Sequence, residues 1–260
     1  MSFSIESTSS ADPSYADPAV AAFIVIPLLL VVLLLWGTAT AWRRSGATRE
    51  AAMRVTLTVG AAAAIWMAAT WMIAATGVFR NWFATPPPFA FLVLSIVALS
   101  VVLAFGRVGR HLARFLPLWT LVAVQGFRFP LELAMHALYL RGVMPQEMSY
   151  SGRNFDIVTG IAALVLASLI LRGTLSGPAA RRTVAFWNTL GLLLLINVVA
   201  VGVLGTPRFR FFGDDRLNVW ITYPPFIWLP AVMVLAALAG HLVIYRALRM
   251  KTEDVIFADG

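Results

Sequence analysis

The chain has 260 residues, of which 60% are hydrophobic and 12% charged, against about 25% charged in an ordinary soluble domain. A water-soluble fold of this length cannot bury that much apolar surface, so composition excludes an ordinary soluble globule. The formal net charge of +8 does not point to nucleic acid, because the basic residues sit in short loops between apolar blocks. Cysteine is absent, which excludes disulfides and thiolate metal sites.

Residues 1–18 are Ser-rich and carry Glu6, Asp12 and Asp17 without a basic residue. A secretory signal needs a positive start, so this segment is expected to be a disordered exterior tail ahead of an uncleaved span. Apolar blocks follow at 19–42, 55–79, 89–105, 115–139, 156–171, 183–204 and 219–245. Each is long enough for a spanning helix, and in lipid the backbone must satisfy itself as helix. The expected fold is an all-α polytopic transmembrane bundle of seven spans over residues 19–246, with 247–260 a short cytoplasmic tail. The fifth block is the shortest, and a six-span arrangement that demotes it is the main alternative.

Orientation follows from Lys and Arg in the short loops. One side collects thirteen of them: Arg43, Arg44, Arg49, Arg54, Arg107, Arg110, Arg114, Arg172, Arg181, Arg182, Arg246, Arg249 and Lys251. The other collects six, Arg80, Arg141, Arg153, Arg208, Arg210 and Arg216, while Arg128 lies within the fourth block. The richer side is expected to be cytoplasmic, which places the N-terminus outside and the C-terminus inside. Trp82, Phe83, Phe211, Phe212 and Trp220 near the exterior helix ends read as an interfacial belt. Lys251 is the only lysine among the basic residues, a bias associated with GC-rich bacterial genomes and hence with an inner membrane.

Small residues recur at four-residue spacing, Gly60, Ala64 and Ala68 in the second block and Ala236 and Gly240 in the last. Such stripes let helices approach closely in lipid, within one bundle or against a second copy or partner subunit. Thr85–Leu92 and Thr222–Leu229 resemble each other and open the third and seventh blocks. They suggest a parallel repeat of the kind some transporters carry, although proline is also favoured at any helix start.

The fourth block carries the chemistry. At 100° per residue, Gln125, Arg128, Glu132, His136 and Tyr139 fall within an arc of about 80° on an otherwise apolar helix. Such a stripe must face other helices or a wet cavity, because a charge at mid-span costs roughly 2.5–3.5 kcal/mol even on the lenient insertion scale. Pro130 removes a helix hydrogen bond and predicts a kink beside the charges. An Arg128–Glu132 pair at four-residue spacing would act as polar glue. With Arg153, Asn154 and Asp156 at the start of the fifth block, Asn197 in the sixth and Tyr223 in the seventh, the stripe instead suggests an exterior-facing pocket. The loop 206–218 is placed to cover it. A small polar or anionic ligand held by Arg128, with Glu132 and His136 relaying a proton, is the expected use. An intramembrane enzyme with Glu132 or His136 as general base, or an accessory subunit, are the alternatives.

Sharper assignments fail. No lysine lies in the last span for a retinal Schiff base, and no P-loop, HExxH or GxSxG pattern is present. Zinc on Glu132, His136 and Asp156 is geometrically open. His111 is expected in a cytoplasmic loop and His241 near the cytoplasmic interface as a packed or snorkelling residue. The residues name no cofactor, and beyond the bilayer they identify no partner.

Overall fold

The computed structural model describes residues 17–250. Most of the tail expected at the N-terminus, 1–16, and most of the C-terminal tail lie outside these residues, while Asp17 and Pro18 of that tail cap and open the first helix. Nine α-helices are found among the described residues, with no strand. They are α1 (Pro18–Arg44), α2 (Arg49–Ala75), α3 (Pro88–Phe105), α4 (Arg107–Phe115), α5 (Leu118–Val124), α6 (Arg128–Leu140), α7 (Asp156–Leu171), α8 (Gly177–Leu204) and α9 (Leu235–Arg249). A π-helical stretch, Leu229–Val234, runs directly into α9. Five helices, α1, α2, α3, α8 and the continuous Leu229–Arg249, are long and apolar enough to cross a membrane. Large apolar side chains such as Leu57, Ile65, Leu94, Val102 and Phe186 are exposed on their outer faces, a surface suited to lipid and not to water.

Local chemistry sets the helix boundaries. Asp17 accepts a hydrogen bond from the Ala19 amide at 2.8 Å, with Pro18 in the first turn of α1, the usual solution for a helix start. That amide holds the Asp17 carboxyl below the ordinary aspartate range, and Asp17 also pairs with Arg141. Gly106 separates α3 from α4. The latter is amphipathic: Gly109, Leu112 and Ala113 are buried while Arg107, Arg110 and Arg114 are exposed. His111 is therefore on a helix and not in a loop, its ring stacked on Trp42 at 3.8 Å.

The helix formed by Leu229–Arg249 runs through the middle of the bundle, touching α3, α4, α5 and α8, while α1 packs on α2, α4 and α6. Side-chain contacts sort the helix ends into two sets. At one end Arg44 donates to the Phe115 carbonyl at 3.3 Å, Arg246 to the Ala104 carbonyl at 3.0 Å, and Arg181 to the Met250 carbonyl at 2.8 Å. At the other, Asp17 meets Arg141, Arg80 lies 4.3 Å over the Tyr223 ring and Glu147 pairs with Arg216 at 2.8 Å.

Three expectations change. Trp82 and Trp220 are buried and not exposed at the helix ends, packing on Phe89 and Phe23 respectively, because the loops that carry them fold in over the helix ends. The α2 stripe divides: Gly60 sits against Leu35, whereas Ala64 and Ala68 face outward. The two proline segments also differ, since α3 begins at Pro88 while 223–227 form turns before the π stretch.

Candidate functional site

The fourth apolar block is not one helix. Between α5 and α6 the backbone tightens into a 3₁₀ turn, Gln125–Phe127. Pro130 thereby falls in the first turn of α6, where no intrahelical donor is required of it. The kink expected from this proline is resolved as a break just upstream. Gly126 and Gly160 let α7 close on this break, since a Cβ on Gly160 would stand 2.5 Å from the Phe129 nitrogen.

From this break α6 rises about 18 Å to Leu140. Residues 141–155 then return alongside it without forming an α-helix. Three side-chain contacts zip the return segment and the start of α7 to the stripe on α6. His136 Nδ1 meets Ser149 Oγ at 2.8 Å, Asn154 Nδ2 donates to the Glu132 carboxylate at 2.8 and 2.9 Å, and Arg128 donates to Asp156 at 2.7 Å. Asn154 is the hub: its amide also donates to the Met148 carbonyl, and its Oδ1 accepts from the Asp156 amide. Non-helical backbone inside an apolar bundle needs such partners for its polar groups.

The partner of Arg128 is therefore Asp156 and not Glu132, one turn along its own helix. A guanidinium of 1% exposure is reached more directly by a carboxylate arriving from a facing helix. Its other terminal nitrogen lies 3.0 Å from His241 Nε2. Arginine has only donors, so Nε2 accepts, and the Nδ1 hydrogen goes to Asn188 Oδ1 at 2.8 Å. Asn188 donates in turn to the His241 carbonyl at 3.1 Å. Arg128 also reaches the Gly191 carbonyl at 3.4 Å.

His241 and Asn188 are the residues that sequence reasoning missed. The last long helix starts at Leu229 and not at Val219, so His241 lies near its middle, fully buried. Gln125, fully buried, donates to the Ala237 carbonyl at 3.3 Å. Trp66 and Ser100 likewise donate to the carbonyls of Ala231 and Leu235 at 2.8 and 3.2 Å. Side chains from three neighbouring segments thus serve carbonyls in and just beyond the π stretch.

These groups form a polar layer. One apolar core cluster centres on Phe23, Leu131 and Phe226 and a second on Trp42, Leu112 and Ile244. Gln125, Arg128, Asp156, Asn188 and His241 separate the two. Arg128, Glu132 and Asp156 line a chamber of about 20 Å³, room for about one water-sized group.

Other expected site residues stand apart. Tyr139 is half-buried beside His136, 5.8 Å between ring centroids. Arg153 is exposed over Phe212, and its carbonyl accepts from Asn197 at 2.7 Å. Tyr223 points outward beneath Arg80. The loop 206–218 is tied down at this end of the bundle: Arg216 pairs with Glu147, and Asn218 donates to the Gly202 carbonyl at 2.8 Å. Among the described residues no group of three or more His, Cys, Asp or Glu is placed to hold a metal. Glu132 and His136 turn to different partners.

Fold and site together define an all-helical protein with several apolar helices of membrane-crossing length around a buried polar layer. No protein-family model, curated protein or solved structure matches this chain.

Proposed function

We propose that the chain is a seven-crossing protein of the cell membrane, of the bacterial inner-membrane kind, which binds and passes a small hydrogen-bonding ligand at its polar layer. The N-terminus is outside and the C-terminus cytoplasmic. The carrying observation is that three departures from regular helix converge on the same ionisable groups: the 3₁₀ turn at Gln125–Phe127, the return segment before Asp156 and the π stretch at Leu229–Val234. Broken helices and charges at mid-membrane depth are the usual construction of a substrate pathway. Apolar side chains of the same volume would fill that space without desolvating charges.

Charge counting refines the ligand. Two carboxylates, Glu132 and Asp156, face one guanidinium whose terminal nitrogens are committed to Asp156, Gly191 and His241. The carboxylates outnumber the guanidinium around this chamber and repel an anion, so the layer suits a neutral hydrogen-bonding group or a cation. The hub at Asn154 supports a second use for the stripe, which is to carry the non-helical return segment.

Paired substitutions separate the two. Arg128→Met or Asp156→Leu alone strands a buried charge and should cost roughly 3–5 kcal/mol in detergent unfolding. Arg128→Met with Asp156→Leu should recover most of that stability yet abolish melting shifts produced by small alcohols and amines. A double variant as stable as the parent and still shifted by the same compounds would leave the layer a purely structural role.

A further inference from the structure

Beside the polar layer lies a second cavity, about 190 Å³, between α3 and α8. Its walls are Phe89 and Val93 from α3, Val199 and Val203 from α8, Pro230 from the π stretch and Met148 from the return segment. Val97 and Ile196 on its rim are 46% and 56% exposed on the outer surface of the bundle. The groove therefore opens sideways, toward lipid.

Four side chains, Leu195, Val198, Leu229 and Val234, line both this groove and the chamber holding Arg128, Glu132 and Asp156. The two spaces therefore adjoin along these four side chains. Leu229 and Val234 bound the π stretch, a backbone irregularity that recurs at functional sites.

Within the chamber, hydrogen bonding is incomplete. Arg128 Nε is buried with no partner in the protein. Both Glu132 oxygens share a single donor, Asn154 Nδ2, which also serves the Met148 carbonyl. One group that both donates and accepts would satisfy an arginine N–H and a carboxylate together, and a hydroxyl is that group. An ammonium would suit Glu132 but would have to cross an apolar groove as a naked charge. A carboxylate would meet Glu132 as a like charge.

We infer that groove and chamber form one site for a long-chain alcohol, which enters from the bilayer between α3 and α8. Its hydroxyl bridges Glu132 and Arg128 Nε while its chain lies along the groove. This rests on the polar layer being a ligand site and names the class of ligand.

The test uses the full chain in phosphatidylcholine nanodiscs and a hexadecan-1-ol carrying a mid-chain diazirine. Photolabelling should map to groove residues of α3 and α8. It should be competed by hexadecan-1-ol and not by palmitic acid or hexadecane. Glu132→Gln should weaken competition about tenfold, the share of one charge-assisted hydrogen bond. Val199→Trp, which fills the groove without touching the chamber, should abolish labelling while butan-1-ol still raises the melting temperature. Equal competition by hexadecane would make the groove a generic acyl-chain surface and overturn the inference. Butan-1-ol stabilisation without hexadecan-1-ol labelling would retain the polar-layer site and discard the groove. If neither alcohol binds, both proposals fall.

Discussion

At position 191 the polar layer accepts no side chain larger than hydrogen. A Cβ there would stand 2.7 Å from Thr159 Cγ2 and 2.8 Å from His241 Cε1, and the same glycine lends its carbonyl to Arg128. Gly191→Ala must displace His241 from the guanidinium, so it should destabilise by about 1–3 kcal/mol despite the better helix propensity of alanine. Gly202 on the same helix meets only ordinary contacts, beginning at 3.5 Å. Gly202→Ala should therefore be neutral or gain up to about 1 kcal/mol. Thermal unfolding of the two variants decides whether the layer is rigidly packed, and equal melting temperatures would show that it is not. The polar stripe of α6 and the turn before it was legible at this scale because five polar residues at helical spacing cannot all face lipid. His241 and Asn188 were not legible, since nothing in the sequence of α8 or α9 directs either residue at α6 and only assembly brings them to Arg128.

Among the elements, α6 and the return segment 141–155 behave as one unit held by Asn154. Asn154→Leu removes the donor to Glu132 and Met148 and the acceptor for the Asp156 amide in one step. With several buried polar groups left unmatched, it should cost at least about 3 kcal/mol. Asn197→Leu loses a single bond to the Arg153 carbonyl at a more open site and should cost about 1 kcal/mol or less. Hydrogen exchange should show faster exchange across 141–155 in the Asn154 variant alone. Unchanged protection there would mean that the segment is held by apolar packing of Met144 and Met148 and not by the zipper. The pattern of apolar blocks located the elements, but it ran through the break at Gln125–Phe127 and began the last span ten residues early. Both errors share a cause. Hydropathy registers how apolar a stretch is, and a 3₁₀ turn or an apolar loop folded under its neighbours is as apolar as a spanning helix.

For the whole molecule, the thirteen-to-six distribution of Lys and Arg and the two sets of helix ends predict one topology. Reporter fusions after Gly46, Gly109 and Gly177 should report cytoplasm, and fusions near Ala84 and Gly213 the exterior. An exterior signal at Gly177 would remove the α7 crossing and with it the seven-span arrangement. The outcome bears on the site, because α7, with 16 residues, starts deep beside Arg128 and needs the return segment to reach the exterior. By itself the sequence determined that the chain is helical and apolar enough for lipid, and that α6 must turn a charged face inward. Those properties follow from composition and from a periodicity carried within each segment. Only the tertiary structure decided that Arg128 meets Asp156 and His241, that the polar layer divides the core in two, and that an apolar groove abuts it. Each depends on which helix faces which and at what height, and no local period records the contacts between one helix and the next.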